Sequence, residues 1–429
     1  NHAERREGHA VAVPLHQPGG QIGVGGGSHF GPGVRAKVLE VLDQLITGVP
    51  LESKEGETIG VAEYGSLSGR SLQLMQPILT KFLAKAHPDV AVRQEGEGAK
   101  TRGDFFSLLK HHSAEEEPCK VSFSVVHEDG PQADFRPLMQ QLDNASISSL
   151  NPVWQAQSQP QLANQVYSSF VSRPFASRDA PPSTVHMGLS LMDLHWSHTP
   201  PNPAVSLSTT ADAELTAFLS TRAHEFKQGG VLVLGFIARS EEGRSSVSGT
   251  ASPAKQPTDL WTVLTNTLAP CIQRLVSCGM LKSDVARHML SLPLHPRTAK
   301  QTLAVLESQQ HAWDVEWSCG LGQSGPNTTG EGAGQPSEPD PVRLPHPAWI
   351  ALQAGTLSRV AFAEHMIQLF KNLYESHFRQ LLRSRLSKGA VEFVLDSLFD
   401  ILHSRIDDQD ISPIKGVELE VCLCALRRR

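Results

Sequence analysis

The stretch of the chain with the most chemical information runs from Ile59 to Ser71. Apolar residues lead into the acidic Glu63, two glycines follow at Gly65 and Gly69, and a helical pattern begins near Ser71. This order predicts a strand, a tight turn and a helix. Glycine lets the backbone adopt positive φ and pass close to a ligand, and the free N–H groups of a new helix point into the turn. The pattern fits a nucleotide-like ligand, and it fits an ordinary strand-to-helix turn equally well.

A second acidic position follows the next predicted strand. Residues 120–126 alternate and are rich in β-branched side chains, which predicts a strand that runs into Asp129 and Gly130. Nucleotide-binding α/β folds place a carboxylate just beyond the second strand, where it binds ribose hydroxyls. Asp129 fits that role, and the alternative is an Asp-Gly turn residue.

These two positions require a framework of alternating strands and helices. The continuous apolar run 231–237 is typical of a strand buried in a parallel sheet. Such alternation predicts an α/β sheet covered on both faces. Further strands are predicted at 166–170 and 184–189, and helices at 34–46, 71–86, 212–226, 258–279, 282–290, 297–308, 358–383 and 388–406.

Composition along the chain predicts its domain organisation. Residues 1–27 are rich in Gly, His and Pro and are expected to be flexible. The α/β domain is predicted over 28–240 and a helical cap over 241–415. Within the cap, residues 319–347 carry almost no apolar side chains and are expected to be disordered. Residues 416–429 are predicted to form a last strand that returns to the sheet.

Charge and cysteine usage narrow the class of protein. The 429 residues carry a net charge of −6, which gives no reason to expect nucleic acid as a partner. No apolar run reaches the length of a membrane span. The six cysteines are scattered without a Cys-x-x-Cys pair, as in a reduced, cytoplasmic protein.

Several separated motifs occur together in the order of one family. Glu63–Ser71 is similar to the family's Asp-Leu-Gly-Cys-Ser-Ser-Gly-Pro-Asn turn, and Ser190–His198 is similar to its Ser-Ser-Tyr-Ser-Leu-His-Trp-Leu-Ser. Phe218–Gly230 resembles its Arg-Ala-x-Glu-Leu-x-x-Gly-Gly helix and turn. Weaker likenesses lie at Glu128–Phe135, Ser168–Val171, Asp259–Trp261 and Glu375–Phe378. Over residues 28–427 the chain resembles the SABATH family, the salicylate/jasmonate-type carboxyl methyltransferases that use S-adenosyl-L-methionine.

The resemblance implies an α/β fold, a class I methyltransferase-like Rossmann sheet with a mainly α-helical cap, and S-adenosyl-L-methionine as cofactor. It also implies cofactor contacts from both acidic positions and from both glycines of the turn. The methionine moiety, the ribose and the adenine would be held by residues at the ends of the first three strands. The implied cofactor-binding residues are Phe30, Glu63, Gly65, Ser66, Gly69, Ser71, Asp129, Gly130, Ser169 and Phe170.

The acceptor site is implied in the same way. His195 and Trp196 would line it, and the indole N–H of Trp196 would donate to a substrate carboxylate. For the large apolar residues the alternative is ordinary core packing, for His195 it is a satisfied core histidine, and for Lys37 it is a solvated helix residue. The implied substrate-binding residues are Lys37, Met192, His195, Trp196, Trp261 and Met366.

Departures from the family pattern leave the activity open. Glu63 replaces an Asp, Leu67 a Ser, Ser71 an Asn and Met192 a Tyr, and Lys37 stands near the place of a Gln. The family's divalent-ion site finds no match here, so no metal is expected. No Ser/His/Asp or Cys/His constellation is evident either, so no residue is assigned a proton-transfer or nucleophilic role.

The function that the resemblance implies is methyl transfer to a small apolar or aromatic acid, giving a methyl ester. The alternatives are N-methylation of a heterocycle and a non-catalytic homologue that only binds ligands. The expected partner is the small-molecule acid, with no nucleic acid and no membrane, and a homodimer is left open.

Overall fold

The computed structural model describes residues 31–52, 57–66, 72–86, 121–131, 133–143, 166–191, 193–197, 204–240, 260–291, 294–322, 340–407 and 418–429. The predicted flexible segment 1–27 lies outside these residues.

The described residues form one eight-stranded sheet. Apolar strand residues alternate between its two faces, and most are fully buried. The strands are β1 Thr58–Tyr64, β2 Ser122–Asp129, β3 Val166–Ser172, β4 Val185–Leu191, β5 Phe226–Ile237, β6 Trp313–Cys319, β7 Val342–Pro345 and β8 Glu418–Arg428.

The order of strands across the sheet is β3-β2-β1-β4-β5-β8-β6, and β7 pairs with the remaining part of β8. Strands β1 to β5 are parallel, and β8 is antiparallel to β5, β6 and β7. The chain proceeds outward from β1 through β2 to β3 and then returns to β4 on the other side of β1. In open α/β sheets, ligands bind beyond the carboxyl ends of the strands at such a switch point.

Helices cover both faces of the sheet. The first face, which includes Val61, packs against α1, α2, α5, α9 and α11. The second face, which includes Ala62, packs against α4 and α7. The helices are α1 Gly31–Thr47, α2 Leu72–Ala86, α3 Arg136–Asp143, α4 Leu207–Glu225, α5 Leu260–Ser277, α6 Ser283–Leu290, α7 Ala299–Ser308, α8 Pro347–Gln353, α9 Arg359–Phe370, α10 Ser376–Arg383 and α11 Lys388–Asp407.

Capping residues explain where two of these helices begin. Ser206 accepts a hydrogen bond from the Thr209 N–H, which starts α4 five residues before the predicted helix 212–226. Thr298 and Gln301 form a reciprocal capping box at the start of α7. The predicted single helix 358–383 is divided, because a π-helical turn at Lys371–Glu375 separates α9 from α10.

Two strands lie within the range 241–415, which was predicted to be a mainly helical cap with no strand. Trp313, Val315 and Trp317 alternate with polar residues, a pattern typical of a strand, and they form part of β6. The predicted disordered segment 319–347 is wrong at both ends, because β6 ends at Cys319 and β7 occupies Val342–Pro345. Pro345 is tolerated in β7 because an edge strand needs no N–H on its outer side.

The start of β5 also differs from the prediction. The resemblance places Gly229 and Gly230 in a turn between the helix and the strand, but β5 already begins at Phe226 and contains both glycines. Gly229 has φ of 79° and packs against the Pro50 ring. The two glycines therefore mark a bend within the strand and not a turn before it. Among the described residues, no helix is long and apolar enough to cross a membrane.

Candidate active site

The predicted cofactor-binding residues that the structure describes gather at the carboxyl ends of β1, β2 and β3. Because Tyr64 pairs with Glu128 in parallel register, the residues after β1 lie level with Asp129. β4 flanks β1 on the other side, with Glu63 opposite Leu189. The strand ends therefore surround the switch point, where a ligand site is expected.

Gly65 forms the turn that follows β1. Its φ is 78°, a left-handed conformation that L side chains rarely adopt, and its N–H donates to the Glu128 carbonyl at 3.0 Å. The next residue, Ser66, is fully buried, and its Oγ has no hydrogen-bond partner among the described residues. A buried hydroxyl in that state is costly, so this turn is suited to a ligand that supplies the missing partner.

Glu63 and His127 form a buried pair on the first face, just before the strand ends. Their side chains are both fully buried, and Glu63 Oε2 lies 2.8 Å from His127 Nδ1. Within the described part of the chain, Glu63 Oε1 and His127 Nε2 have no partner. The pair engages one of the two polar atoms of each side chain and fixes both strand ends relative to each other.

The Asp129 carboxylate is held by the backbone of the turn that follows β2. Its Oδ1 accepts a hydrogen bond from the Gly130 N–H at 2.7 Å, and the Gly130 carbonyl accepts one from Ser172 Oγ at 2.9 Å. Asp129 is buried, with 5% of its surface exposed. This orientation keeps the carboxylate at the carboxyl end of the sheet, as the ribose role requires.

An aromatic surface lies beside Asp129 on β3. Phe170 stacks on His127 with ring centroids 5.3 Å apart and contacts Phe135 at 5.4 Å. Phe170 is half-buried, whereas the neighbouring Ser169 is exposed and its Oγ makes only a long contact of 3.4 Å with the Val125 carbonyl. The partly exposed ring suits a stacked base.

The predicted acceptor residues follow β4 in a tight turn. The Trp196 N–H donates to the Asp193 carbonyl at 3.0 Å, and Trp196 forms a β-bridge with Leu294. The His195 carbonyl accepts from the His295 N–H at 2.8 Å. His195 and Trp196 are both buried, with 1% and 7% of their surfaces exposed, and their rings lie 5.5 Å apart.

A buried ion cluster on the second face supports the end of β1. Arg222 contacts Asp179 at 2.6 Å and Glu225 at 3.3 Å, and its guanidinium lies 4.4 Å above the Tyr64 ring. Tyr64 OH donates to Glu225 at 2.9 Å. Arg222 and Glu225 belong to the Arg-Ala-x-Glu motif, so the motif acts here by holding the residue that precedes Gly65.

Glu128 adds a polar group on the second face that the sequence did not single out. Its Oε2 lies 3.4 Å from the Gly65 nitrogen, and its side chain is fully buried. Burial raises the pKa of Glu128 well above the ordinary value, and the charges of Asp179 and Asp129 raise it further. The shift favours a neutral carboxyl behind the turn.

Other predicted site residues are not brought to this edge. Phe30, Gly69, Ser71 and Met192 lie outside the described residues. Met366 is 1% exposed within the first-face core, in agreement with the core-packing alternative. Trp261 belongs to the first turn of α5, and its side chain lies outside the described part of the structure.

Lys37 is engaged away from the turn that carries Trp196. Its Nζ forms an ion pair with Glu40 at 3.0 Å on α1, and 36% of its side chain is exposed. Burial raises the pKa of the Cys319 thiol and the Lys37 charge opposes that shift, so the lysine lies near the end of β6. β6 is three strands away from β4 in the sheet. This placement corresponds to the solvated-helix alternative.

A cavity of about 490 Å³ lies at the opposite, amino-terminal edge of the sheet. Its wall includes Glu57, His186 and Lys227. His186 Nδ1 accepts the Gly60 N–H at 3.0 Å, where the register between β1 and β4 shifts. The imidazole therefore accepts the Gly60 N–H at the point where the β1–β4 pairing is irregular. Among the described residues, no group of three or more His, Cys, Asp or Glu side chains could hold a metal ion.

The fold and the site can be compared with known proteins. No protein-family model matches the chain. The chain is 26% identical to Methyltransferase FUS9 of Gibberella fujikuroi (strain CBS 195.34 / IMI 58289 / NRRL A-6831) over 162 residues, which cover 36% of this chain and 41% of that protein. It is 24% identical to Methyltransferase LUC1 of Fusarium sp over 196 residues, which cover 44% of this chain and 48% of that protein. The chain thus spans less than half the length of these curated relatives.

Among solved structures, loganic acid methyltransferase with S-adenosylhomocysteine superposes with a TM-score of 0.58 at 15% identity, covering 94% of this chain and 95% of that one. At this identity the likeness establishes the fold alone. The fold is that of the class I methyltransferases, an α/β sheet with helices on both faces. The predicted fold class is therefore confirmed.

Proposed function

We propose that the protein is an S-adenosyl-L-methionine-dependent methyltransferase that converts the carboxylate of a small apolar or aromatic acid into a methyl ester. The observation that carries this proposal is the turn at Gly65. A glycine with positive φ, a buried Ser66 hydroxyl without a partner among the described residues, and the Asp129 carboxylate all lie around the switch point of the sheet.

The residues at this edge fit the parts of the cofactor. Asp129 would accept hydrogen bonds from the ribose hydroxyls, and the half-exposed ring of Phe170 would pack on the adenine. Gly65 and Ser66 would hold the methionine moiety. When bound, the cofactor supplies a methyl group made electrophilic by the adjacent sulfonium.

The acceptor needs positioning more than proton transfer. A carboxylic acid with a pKa near 4 is already ionised at neutral pH, so no general base is required. The protein must place the carboxylate oxygen about 3 Å from the methyl carbon and exclude water. Trp196, buried in the turn after β4, would donate its indole N–H to the carboxylate, and His195 would support its ring.

The name of the solved neighbour and those of the curated relatives support this class of reaction. The nature of the acceptor rests on the Trp196 motif and on the neighbour's name alone. Methyl transfer to a ring nitrogen and ligand binding without turnover are therefore outcomes of the test.

The first experiment is calorimetric titration with S-adenosylhomocysteine. Asp129→Ala is expected to weaken binding by at least about 10- to 150-fold, which is the effect of losing one hydrogen bond to a charged group, worth about 1.5–3 kcal/mol. The matched control is Asp134→Ala, which removes an exposed carboxylate paired with Arg136 at 2.5 Å. The control should bind like the unmodified protein. No binding by the unmodified protein, or equal affinity of both variants, would refute the assigned site.

The second experiment incubates the protein with labelled cofactor and a panel of aromatic, terpenoid and fatty acids. Formation of a methyl ester that depends on Trp196 is the expected result. Cofactor binding without any ester would refute the proposed acceptor, and a panel of nitrogen heterocycles would then distinguish N-methylation from binding alone.

A further inference from the structure

The turn after β4 touches the turn after β1 through one acidic side chain. A Cβ atom at Gly65 would overlap the Asp193 carboxylate, with Cγ at 2.5 Å and the Asp193 Cβ at 3.0 Å. The Asp193 carboxylate thus lies directly against the Gly65 backbone. This approach is possible only because residue 65 has no side chain.

The same carboxylate lies near a second one at the switch point. Asp193 Oδ2 is buried, and the buried Asp129 lies at the adjoining end of β2. Acidic side chains attract a ligand group that carries positive charge.

We infer that Asp193 binds the ammonium group at the methionine end of the cofactor. This assignment rests on the proposed function and deepens it. An ammonium presents three N–H donors to a carboxylate, whereas a sulfonium presents none. Contact with the turn that holds the methionine moiety therefore favours the ammonium as the group recognised.

The position of Asp193 relative to Asp129 supports the same assignment. β4 and β2 flank β1 on opposite sides, so the ends of the two strands that carry these residues are roughly 10 Å apart in the sheet direction. An extended nucleoside with an amino-acid tail has ribose hydroxyls on one side of its sulfur and the ammonium on the other. One carboxylate thus serves each end of such a ligand.

The assignment also connects cofactor and acceptor. Asp193 and Trp196 belong to one turn, closed by the hydrogen bond from the Trp196 N–H to the Asp193 carbonyl at 3.0 Å. A ligand that fixes the Asp193 side chain therefore also fixes the backbone that carries the Trp196 indole. Asp193 acts on the acceptor only through this turn, as a positioning residue.

The test compares two ligands that differ in the amino-acid tail. Asp193→Asn is expected to weaken S-adenosylhomocysteine binding at least about 10-fold in calorimetry. It should change the affinity for 5′-methylthioadenosine, which lacks the ammonium, by less than about 2-fold. Asp134→Asn, an exposed carboxylate, is the control and should change neither affinity.

An equal loss of affinity for both ligands would show that Asp193 is a structural support of the turn and would overturn the inference. Equal affinity of Asp193→Asn and the unmodified protein for S-adenosylhomocysteine would also overturn it. If the unmodified protein binds neither ligand, the proposed function fails and the inference fails with it. If the variant does not fold, the unmodified protein is titrated with deaminated S-adenosylhomocysteine. Binding at least about 10-fold weaker than that of the parent ligand supports ammonium recognition, and equal affinity overturns it.

Discussion

Gly65→Ala tests whether the turn after β1 holds the ligand. The substitution adds one methyl group at a residue whose φ is 78°. An L residue in the left-handed region costs roughly 1–2 kcal/mol. The new Cβ also overlaps the Asp193 carboxylate, and overpacking a buried site costs typically about 1–3 kcal/mol. We expect the free energy of unfolding to fall by about 2–5 kcal/mol if Asp193 stays in place.

Two other glycines separate these contributions. Gly355 has φ of 71°, and a Cβ atom added there would have no neighbour within 4 Å, so Gly355→Ala measures backbone strain alone. Gly229 has φ of 79° and its Cβ would lie 2.6 Å from Pro50 Cδ, at the opposite edge of the sheet. Gly229→Ala therefore matches both the strain and the clash without altering the candidate site.

Urea denaturation and titration with S-adenosylhomocysteine give the two readouts. The stability loss should be smallest for Gly355→Ala and larger for the other two variants. Only Gly65→Ala should lose ligand affinity. Unchanged affinity in Gly65→Ala would show that the ligand does not lie against this turn. Equal stability of all three variants would show that the packing between Gly65 and Asp193 is not tight.

Two further predictions concern buried groups outside the ligand contacts. Burial lowers the pKa of His186 from 6.5. Below pH 6.5 the unfolded chain therefore binds more protons than the folded one, and the free energy of unfolding falls as the pH decreases. In His186→Asn, whose amide oxygen can still accept the Gly60 N–H, urea titrations should show a shallower decrease between pH 6.5 and 5, and parallel curves would refute this. Arg222→Met should lower the free energy of unfolding by about 3–5 kcal/mol, because it leaves two buried carboxylates without their cation; a loss below about 1 kcal/mol in the same assay would show that the cluster contributes little.

Local patterns predicted much of the framework. The apolar run 231–237 lies within β5, and α5, α6, α7 and α11 begin and end close to their predicted limits. These elements follow from periodicity, which burial imposes directly on neighbouring residues. β6 shows the same kind of signal in the alternation of Trp313, Val315 and Trp317, so its omission was avoidable. The short helix α8 is not among the predicted helices.

The candidate site was only partly predictable, because its contacts are not local. Gly65 and Asp129 could be found from the turns that contain them. Asp193 could not, since its contact with Gly65 depends on β4 lying beside β1 and on the register between them. The assignment of Lys37 likewise relied on an alignment of α1, whereas its ion pair with Glu40 is a contact at i and i+3 that the sequence already contains.

Contacts on the two faces of β1 explain how Gly65, which has no side chain, is held in position. A residue that must admit a ligand closely cannot use a side chain of its own to fix its position. Successive strand residues point to opposite faces, so Glu63 reaches His127 on the first face while Tyr64 reaches Glu225 on the second. Gly65 is therefore held from both sides through the two residues before it. The Arg-Ala-x-Glu motif and Glu63 therefore both stabilise the backbone at the position where we propose that the ligand binds.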